Sequence, residues 1–396
     1  MDLKLPIYLD YNATTPVDPQ VLEEMLPYFC EKFGNASSKS HKFGWEASYA
    51  VEVGRDRIAK LINASPKEIV FTSGSTESIN LAIKGIADTY ASKGKHIITT
   101  PLEHNAVIDT CNCLAKAGYE IDFVNIDKYG IIDLNHLNDL MRDDTVLVSV
   151  IMANNEIGVI QPIKEISQIV HSKNAFFHVD GSQSVGKIPV DVHDMDIDIM
   201  AITSHKLYGP KGIGGLFVKD KDPKIKLTEQ ISGGGHEFGM RSGTLNVPGI
   251  VGFGKACEIC MLTMEEETNR VSAMRDNMIS ELTSNLERVF LNGHPVYRLP
   301  GNANMCFECV ETSHLFGMID DVAFSSGSAC SSAKMKPSHV LKALGLTDDQ
   351  AVSSIRIGIG RYNTQEEVDY ATKRLIETVN KVREKSPKWE MALKSN

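Results

Sequence analysis

The chain has 396 residues, of which 42% are hydrophobic and 23% charged, and its net charge is −10 at pH 7. This length exceeds what one hydrophobic core usually serves, so we expect two domains. The negative charge disfavours a nucleic-acid or anionic-membrane partner, and no apolar run approaches the roughly 18 residues that a membrane helix needs. The N-terminus has no signal-peptide or transit-peptide pattern, and eight cysteines without an export signal predict reduced thiols, so we expect a cytoplasmic protein.

Apolar runs alternate with helical patterns through the first half of the chain. The runs include EIVF, HIIT, TVLVSVIMA, AFFHV and DIDIMAI, each separated from the next by a helical or polar stretch. Strands separated by helices predict an α/β fold with a mostly parallel sheet that helices cover on both faces. Binding sites of such sheets lie at the carboxyl ends of the strands.

Polar clusters follow five of these runs. Because parallel strands end at the same rim, all five clusters should meet there. One cluster alone would be an ordinary loop, but five that meet make a pocket the better interpretation. The clusters are residues 72–76 (TSGST), His104, residues 154–156 (NNE), residues 180–183 (DGSQ) and residues 203–206 (TSHK).

The first cluster opens a helix, so backbone N–H groups and the hydroxyls of Ser75 and Thr76 can cradle a phosphate. A plain turn between strand and helix explains this motif equally well on its own.

The ring-binding candidates come from three other clusters. Asp180 ends a strand and would be costly to bury unpaired, and a pyridinium nitrogen would pair with it. His104 could stack on such a ring and move protons, although a solvated loop histidine is the simpler interpretation. Gln183 and Asn155 could hydrogen-bond a phenolate oxygen or a substrate carboxylate.

A lysine follows the last of the five runs. The run from residue 197 to 202 leads into His205 and Lys206, and burial there should lower the pKa of the lysine. Such lysines form Schiff bases with carbonyl compounds, including pyridoxal phosphate. Taken alone, a surface lysine beside a turn is the more common case, and Lys211 competes for the same role.

Two CxxC pairs occur in the second half of the chain. Cys257 and Cys260 lie in a helical pattern, whereas Cys306 and Cys309 lie in NANMCFECV, which predicts a strand with the two thiols on opposite faces. Neither pair has the turn glycines of a zinc knuckle, so we expect no resident metal.

The remaining pattern predicts a smaller α+β region. A long helical pattern from about residue 255 to 289 leads into strands such as SIRIGI, and a capping box from Thr364 to Glu367 opens a further helix. In SIRIGI the isoleucines share one face and Arg356 points to the other. An arginine there suits a substrate carboxylate, and a simple ion pair is the alternative.

Motifs along nearly the whole chain resemble those of NifS/IscS-type cysteine desulfurases. These enzymes are fold-type I pyridoxal-phosphate proteins of the class-V aminotransferase family. The resemblance implies a large domain at residues 16–260 with a mostly parallel seven-stranded sheet. It also implies a small domain from residues 1–15 and 261–396 that carries the catalytic cysteine loop at about 324–336. The motifs are YLDYNATTP, TSGSTES, PLEHNAV, NNEIG, HVDGSQSVGK, SHKLYGPKGIG, GGGHEFGMRSGT, SSGSACSS, PSHVLKALGL and SSIRIGIGRYNTQEE.

The resemblance also implies the site. Lys206, rather than Lys211, would carry pyridoxal 5'-phosphate covalently, and Cys330 would be the nucleophile that accepts sulfur. Thr244 would reach the phosphate of a partner subunit, which implies a homodimer. Substrate would contact Asn155 and Arg356. The implied cofactor contacts are Ser75, Thr76, His104, Asn155, Asp180, Gln183, Thr203, Ser204, His205, Lys206 and Thr244.

The implied reaction removes sulfur from L-cysteine, gives L-alanine and leaves a persulfide on Cys330. Lys206 would move the Cα proton and His104 would accept the thiol proton. The sulfur would pass to an iron–sulfur scaffold or another acceptor protein, and Cys330 is also a candidate transient ligand of an iron–sulfur cluster. Selenocysteine lyases and other fold-type I aminotransferases are the alternatives. Retention of Lys206, His104, Asp180 and Cys330 argues against a non-catalytic assembly subunit.

Overall fold

The computed structural model describes residues 3–326 and 337–394. Its strands are β1 (Ile7–Tyr8), β2 (Ile69–Thr72), β3 (His96–Thr99), β4 (Glu120–Phe123), β5 (Thr145–Ile151), β6 (Phe176–Asp180), β7 (Ile199–Thr203), β8 (Gly214–Val218), β9 (Val289–Leu291), β10 (Asn302–Phe307), β11 (Val322–Ala323), β12 (Ser325–Ser326) and β13 (Ser354–Gly358). Its α-helices are α1 (Pro19–Met25), α2 (Pro27–Cys30), α3 (Lys42–Leu61), α4 (Ser75–Thr89), α5 (Asn105–Lys116), α6 (Leu134–Leu140), α7 (Ile163–Ser172), α8 (Val247–Asn285), α9 (Thr312–Met318), α10 (His339–Ala343), α11 (Asp348–Val352), α12 (Gln365–Arg383) and α13 (Pro387–Lys394).

The largest sheet has seven strands in the order β2-β8-β7-β6-β5-β3-β4. Strand β8 runs antiparallel to both of its neighbours, β2 and β7, while the other neighbouring pairs are parallel. The expected α/β fold with a mostly parallel seven-stranded sheet is therefore confirmed.

Helices bury both faces of this sheet. In β7, Met200 and Ile202 belong to one apolar cluster, and Ile199 and Ala201 belong to another. Helices α3 and α8 contribute to the first cluster, and α4 and α5 to the second. Alternate side chains of a strand point to opposite faces, so burial of both faces requires the near-continuous apolar runs of the sequence.

A second core forms around a smaller antiparallel sheet. Strand β10 pairs with β9 and β13, and β12 adds to the other edge of β13. Ile355 and Ile357 of β13 face this core together with α12, which begins with the predicted capping box of Thr364 and Glu367. The smaller α+β region is thus present as expected.

Helix α8 connects the two cores. Ile250 and Phe253 near its start pack against the large sheet, whereas Met274 and Met278 pack in the second core. The helix is long and apolar enough to span a membrane by length and composition, but 61% of its most apolar window is buried inside the protein. It starts ahead of residue 255 because the Asn246 side chain caps it by accepting the Gly249 N–H at 3.1 Å. The domain boundaries expected near residues 16 and 260 stay a prediction.

Candidate active site

The polar clusters that follow five strands of the large sheet meet at one cavity of about 1330 Å³. The cavity lies at the carboxyl ends of β2, β3, β5, β6 and β7, where parallel sheets place their sites. Most of the predicted site residues line it: Ser75, Thr76, His104, Asn155, Asp180, Gln183, Thr203, His205, Lys206 and Arg356.

One end of the cavity has the form of an anion cradle. Gly74 has a φ of 152°, which side chains rarely allow, and it turns the chain so that α4 starts at Ser75 with free N–H groups. The Ser75 hydroxyl lies 2.5 Å from the hydroxyl of Ser182. Burial and the neighbouring Lys206 lower the pKa of His205 to about 4, so this ring is neutral. The cradle therefore offers hydroxyls, backbone donors and the start of a 15-residue helix.

Lys206 is held by the N-terminal segment of the chain. Its ammonium donates hydrogen bonds of 2.6 Å to the carbonyl oxygens of Asn12 and Ala13. Burial lowers the pKa of Lys206 to about 7, and the positive charges of Lys187 and Arg356 add to this effect. The predicted fall in pKa is confirmed, and about half of the side chains carry a neutral amine at pH 7.

A carboxylate and an imidazole face the same space. Asp180 is only 2% exposed, and one of its oxygens accepts the backbone N–H and the hydroxyl of Ser182. His104 caps α5: its Nδ1 accepts the Ala106 N–H at 3.1 Å, which puts the proton of the neutral ring on Nε2. Although the ring is open to the cavity, partial burial lowers the pKa of His104. The site thus combines a fixed negative charge with a neutral imidazole.

Arg356 points from the second core into the cavity. Its guanidinium donates to Asp10 Oδ1 at 2.8 Å and to the carbonyl oxygen of Asn155 at 3.2 Å. The isoleucines beside it face the opposite way, as the alternation of SIRIGI predicts. The ion pair that the sequence left as an alternative is formed here, and it sits at the cavity wall.

Two of the predicted site residues that the structure describes do not line the cavity. Ser204 is fully buried and its hydroxyl makes no hydrogen bond within the described structure, while Thr244 is exposed and is not among the residues that line the cavity. Cys330 lies outside the described residues. Ser325 and Ser326 on one side of its segment, and Pro337 on the other, line the cavity.

The two CxxC pairs lie away from the cavity. Burial raises the pKa of Cys257 well above its usual value and that of Cys260 to about 11. Cys306 lies within strand β10, but Cys309 follows the strand in a turn with a φ of 67°, so only the first six residues of NANMCFECV form a strand. Within residues 3–326 and 337–394, no three potential ligands cluster closely enough to hold a metal ion. Cys257, Cys260 and Cys306 are buried thiols in regular elements and serve as packing residues, whereas Cys309 is half-buried in a turn.

Comparison with known proteins places this site in a family. The aminotransferase class-V model matches residues 7–371. The chain belongs to the class-V aminotransferase family. Within it, the chain is 52% identical over 389 residues to the cysteine desulfurase IscS of an Anaeromyxobacter species, which covers 98% of this chain and 96% of the relative.

Solved structures of the family agree with this grouping. A NifS-like protein superposes with a TM-score of 0.88 at 37% identity, covering 95% of this chain and all of the other. The structure of SspA in complex with cysteine gives a TM-score of 0.80 at 35% identity, covering 90% and 100% of the two chains. The chain is therefore a class-V aminotransferase of the cysteine desulfurase group, with the NifS-like fold that its motifs predicted.

The cavity fits pyridoxal phosphate, the cofactor that class-V aminotransferases use. Three features of the cavity match three groups of this cofactor. The anion cradle suits the phosphate, buried Asp180 suits the ring nitrogen, and the Lys206 amine suits the aldehyde. Because all of these groups line one cavity, a single phosphorylated pyridine can contact them together.

Some residues that line the cavity carry no distinct sequence signal. Asn12 and Ala13 contribute only backbone carbonyls to Lys206, which any residue type could supply. Glu103, the residue before His104, is fully buried, with Oε1 accepting the Thr100 hydroxyl and the Ile151 N–H, both at 2.8 Å. Burial raises the pKa of Glu103 to about 8, so it is mostly a neutral acid at pH 7. In the sequence, Glu103 is indicated only by its place beside His104 in the motif PLEHNAV.

Proposed function

We propose that this cysteine desulfurase converts L-cysteine to L-alanine and leaves the sulfur as a persulfide on Cys330. The observation that most directly supports this proposal is the Lys206 amine, whose pKa is about 7. It lies in a cavity that Asp180, His104 and Arg356 also line. Bound pyridoxal phosphate supplies an electron sink for the charge that develops at the substrate Cα.

Lys206 is the proposed covalent anchor of the cofactor and the group that moves the Cα proton at its Nζ. An amine with a pKa near the working pH is suited to both gaining and losing a proton. The carboxylate of Asp180 would hold the ring nitrogen in its protonated form, since a fixed negative charge favours the cation. The hydroxyls of Ser75, Thr76 and Thr203 and the ring of His205 are the proposed phosphate contacts, with Ser204 packed beneath them.

Arg356 and Asn155 would bind the substrate carboxylate. A guanidinium can hold a carboxylate through two parallel hydrogen bonds, so substrate would take over the donors that Asp10 now uses. Because Asp10 and the substrate carboxylate would compete for the Arg356 guanidinium, the contact with Asp10 would lower the affinity for substrate.

His104 is the proposed acceptor of the substrate thiol proton. Its Nδ1 already accepts the Ala106 N–H, so the ring must release this cap before Nδ1 can take a proton. The Cys330 thiolate would then attack the substrate sulfur: an S–S bond forms, the C–S bond breaks, and its electrons stay on the substrate carbon, which is protonated on the way to alanine. Ser325 and Pro337, which flank the segment of Cys330, line the cavity, and this supports the assignment.

We further propose a cytoplasmic homodimer that passes sulfur to an acceptor protein. Large apolar side chains on and beside α1 to α3 are exposed, including Leu26 at 56%, Trp45 at 58% and Tyr49 at 74%. The Ser37 hydroxyl lies 3.0 Å from His236 Nε2, which ties this surface to the segment that leads to Thr244. An exposed apolar surface next to Thr244 supports a partner subunit there, with Thr244 reaching the partner's phosphate site.

The test is a single turnover with ³⁵S-labelled L-cysteine followed by peptide mass spectrometry. The wild type should release alanine and carry a reductant-labile sulfur on Cys330. Cys330→Ser should bind cofactor and cysteine but form no persulfide, and Lys206→Ala should lose the covalent cofactor. Cys309→Ser is the matched control, because this half-buried thiol lies outside the cavity, and it should behave as wild type. Sulfur on another cysteine, or normal turnover by Cys330→Ser, would contradict the proposal.

A further inference from the structure

A second lysine stands behind the cavity and is hydrogen-bonded toward Lys206. The ammonium of Lys187 donates to Gln183 Oε1 at 2.9 Å, and Gln183 Nε2 donates to the carbonyl oxygen of Asn12 at 2.9 Å. The same carbonyl accepts from Lys206 at 2.6 Å. Lys187, Gln183, Asn12 and Lys206 therefore form a continuous chain of hydrogen bonds.

The Lys187 ammonium and the Asn12 carbonyl favour the same orientation of the Gln183 amide, and the Asn12 side-chain NH₂ makes a longer contact of 3.5 Å with the same Oε1. An amide has an acceptor end and a donor end, and an ammonium can only donate. If the amide were flipped, its NH₂ group would face the Lys187 ammonium and its oxygen would face the Asn12 carbonyl oxygen, and both hydrogen bonds would be lost. Gln183 is 3% exposed, so water could not replace them.

Lys187 is placed at a cost to the protein. Burial lowers its pKa to about 8, so it is still mostly charged at neutral pH. The groups that act most strongly on it are Arg356 and the Cys260 thiol, and neither is a carboxylate. A desolvated cation that Arg356 also repels costs stability, and this cost points to a role for its position.

We propose that Lys187 is a positioning residue: it locks the Gln183 amide so that an N–H points into the cavity, toward the phenolic oxygen of the cofactor. This inference rests on the proposed function, because it takes pyridoxal phosphate as the molecule that the amide meets. Nε2 has two N–H groups, and Asn12 takes one, so the other is free for the cavity that Gln183 lines. A donor at that oxygen stabilises its anionic form.

Lys187 also acts on Lys206 through its charge. The charged groups that act most strongly on Lys206 are the cations Lys187 and Arg356 and the carboxylates Asp10 and Asp180, and the two cations favour the neutral amine. One residue thus orients the donor for the cofactor oxygen and helps to keep the anchoring amine reactive.

The experiment compares Lys187→Met with Lys187→Arg. In the apoprotein, the rate at which acetic anhydride labels Lys206 is followed by mass spectrometry from pH 5 to 10. If the methionine variant raises the Lys206 pKa by one unit, labelling at pH 7 falls about fivefold. The arginine variant keeps the cation and should stay within about twofold of wild type. In the holoenzymes, the pH midpoint of the visible absorption of bound cofactor should move upward in Lys187→Met only.

Two further variants separate positioning from loss of packing. Thr268→Val removes the 3.0 Å hydrogen bond to the Lys187 backbone oxygen but leaves the ammonium in place, and it should match wild type in both measurements. Gln183→Leu leaves no amide to orient, so adding Lys187→Met to it should shift the absorption midpoint by less than Lys187→Met does in the wild type, because only the direct effect of the charge remains. Unchanged labelling and midpoint in Lys187→Met, or fully additive shifts in the double variant, would overturn the inference. A wild type that binds no pyridoxal phosphate would instead defeat the proposed function, while the apoprotein labelling would still report on Lys187.

Discussion

Replacing Arg55 by methionine should lower the free energy of unfolding by about 3–5 kcal/mol, the usual effect of removing one partner of a buried ion pair. The side chains of Arg55 and Glu237 are 4% and 2% exposed, and two hydrogen bonds of 2.8 Å join them. Arg55 also donates to the Ile69 carbonyl at 2.6 Å. Without the guanidinium, the Glu237 carboxylate keeps only the Phe71 N–H, so a buried charge is left under-compensated.

The ion pair also holds a strained segment. Glu237 and Phe238 have positive φ values of 49° and 58°, which non-glycine residues rarely adopt. The segment continues to Arg241, whose guanidinium donates to Glu77 at the start of α4. Arg55→Met should therefore weaken cofactor retention as well as stability.

The assay is urea unfolding at one fixed protein concentration, with cofactor release measured in parallel. Arg57→Met is the matched control on the same helix, because Arg57 pairs with Glu24 and Glu258 where all three side chains are 21–32% exposed. Such a partly exposed pair contributes about 0–1 kcal/mol. If the two variants lose the same stability, the buried pair does not have the role argued here.

Two further predictions concern charge at and away from the site. Asp10→Asn should lower the KM for L-cysteine by about tenfold or more, because hydrogen bonds to charged groups contribute roughly 1.5–3 kcal/mol and Asp10 occupies Arg356; an unchanged KM would show that the two carboxylates do not compete. His171 bridges Asp198 and Asp196, and the hydrogen bond to Asp198 raises its pKa above 6.5. The stabilising effect of the charged His171 ring is thus complete below pH 6.5 and is lost as the pH rises through the higher pKa of the folded protein. His171→Gln should therefore cost more stability at pH 6 than at pH 9 in thermal melts. An equal cost at both pH values would show that the protonated ring does not stabilise the fold.

Local patterns were enough to predict much of the fold and the position of the site. The apolar runs required strands buried on both faces, and the polar clusters after them had to meet at one rim because parallel strands end together. The alternation of SIRIGI predicted that Arg356 points away from the isoleucines, and the capping box at Thr364 predicted the start of α12. These features depend on neighbours in sequence, which a single sequence displays.

Partners that are distant in sequence were decided only by the tertiary structure. Nothing near Arg356 indicates that Asp10 pairs with it, and nothing near Lys206 indicates that the carbonyls of Asn12 and Ala13 hold its ammonium. Lys187 looks like an ordinary lysine after a glycine until the fold buries it against Gln183. The sequence determined which residues reach the rim, because strand and helix periods are local. Their hydrogen bonds, charge states and pKa values depend on burial and on long-range contacts, which exist only once the two cores have packed together.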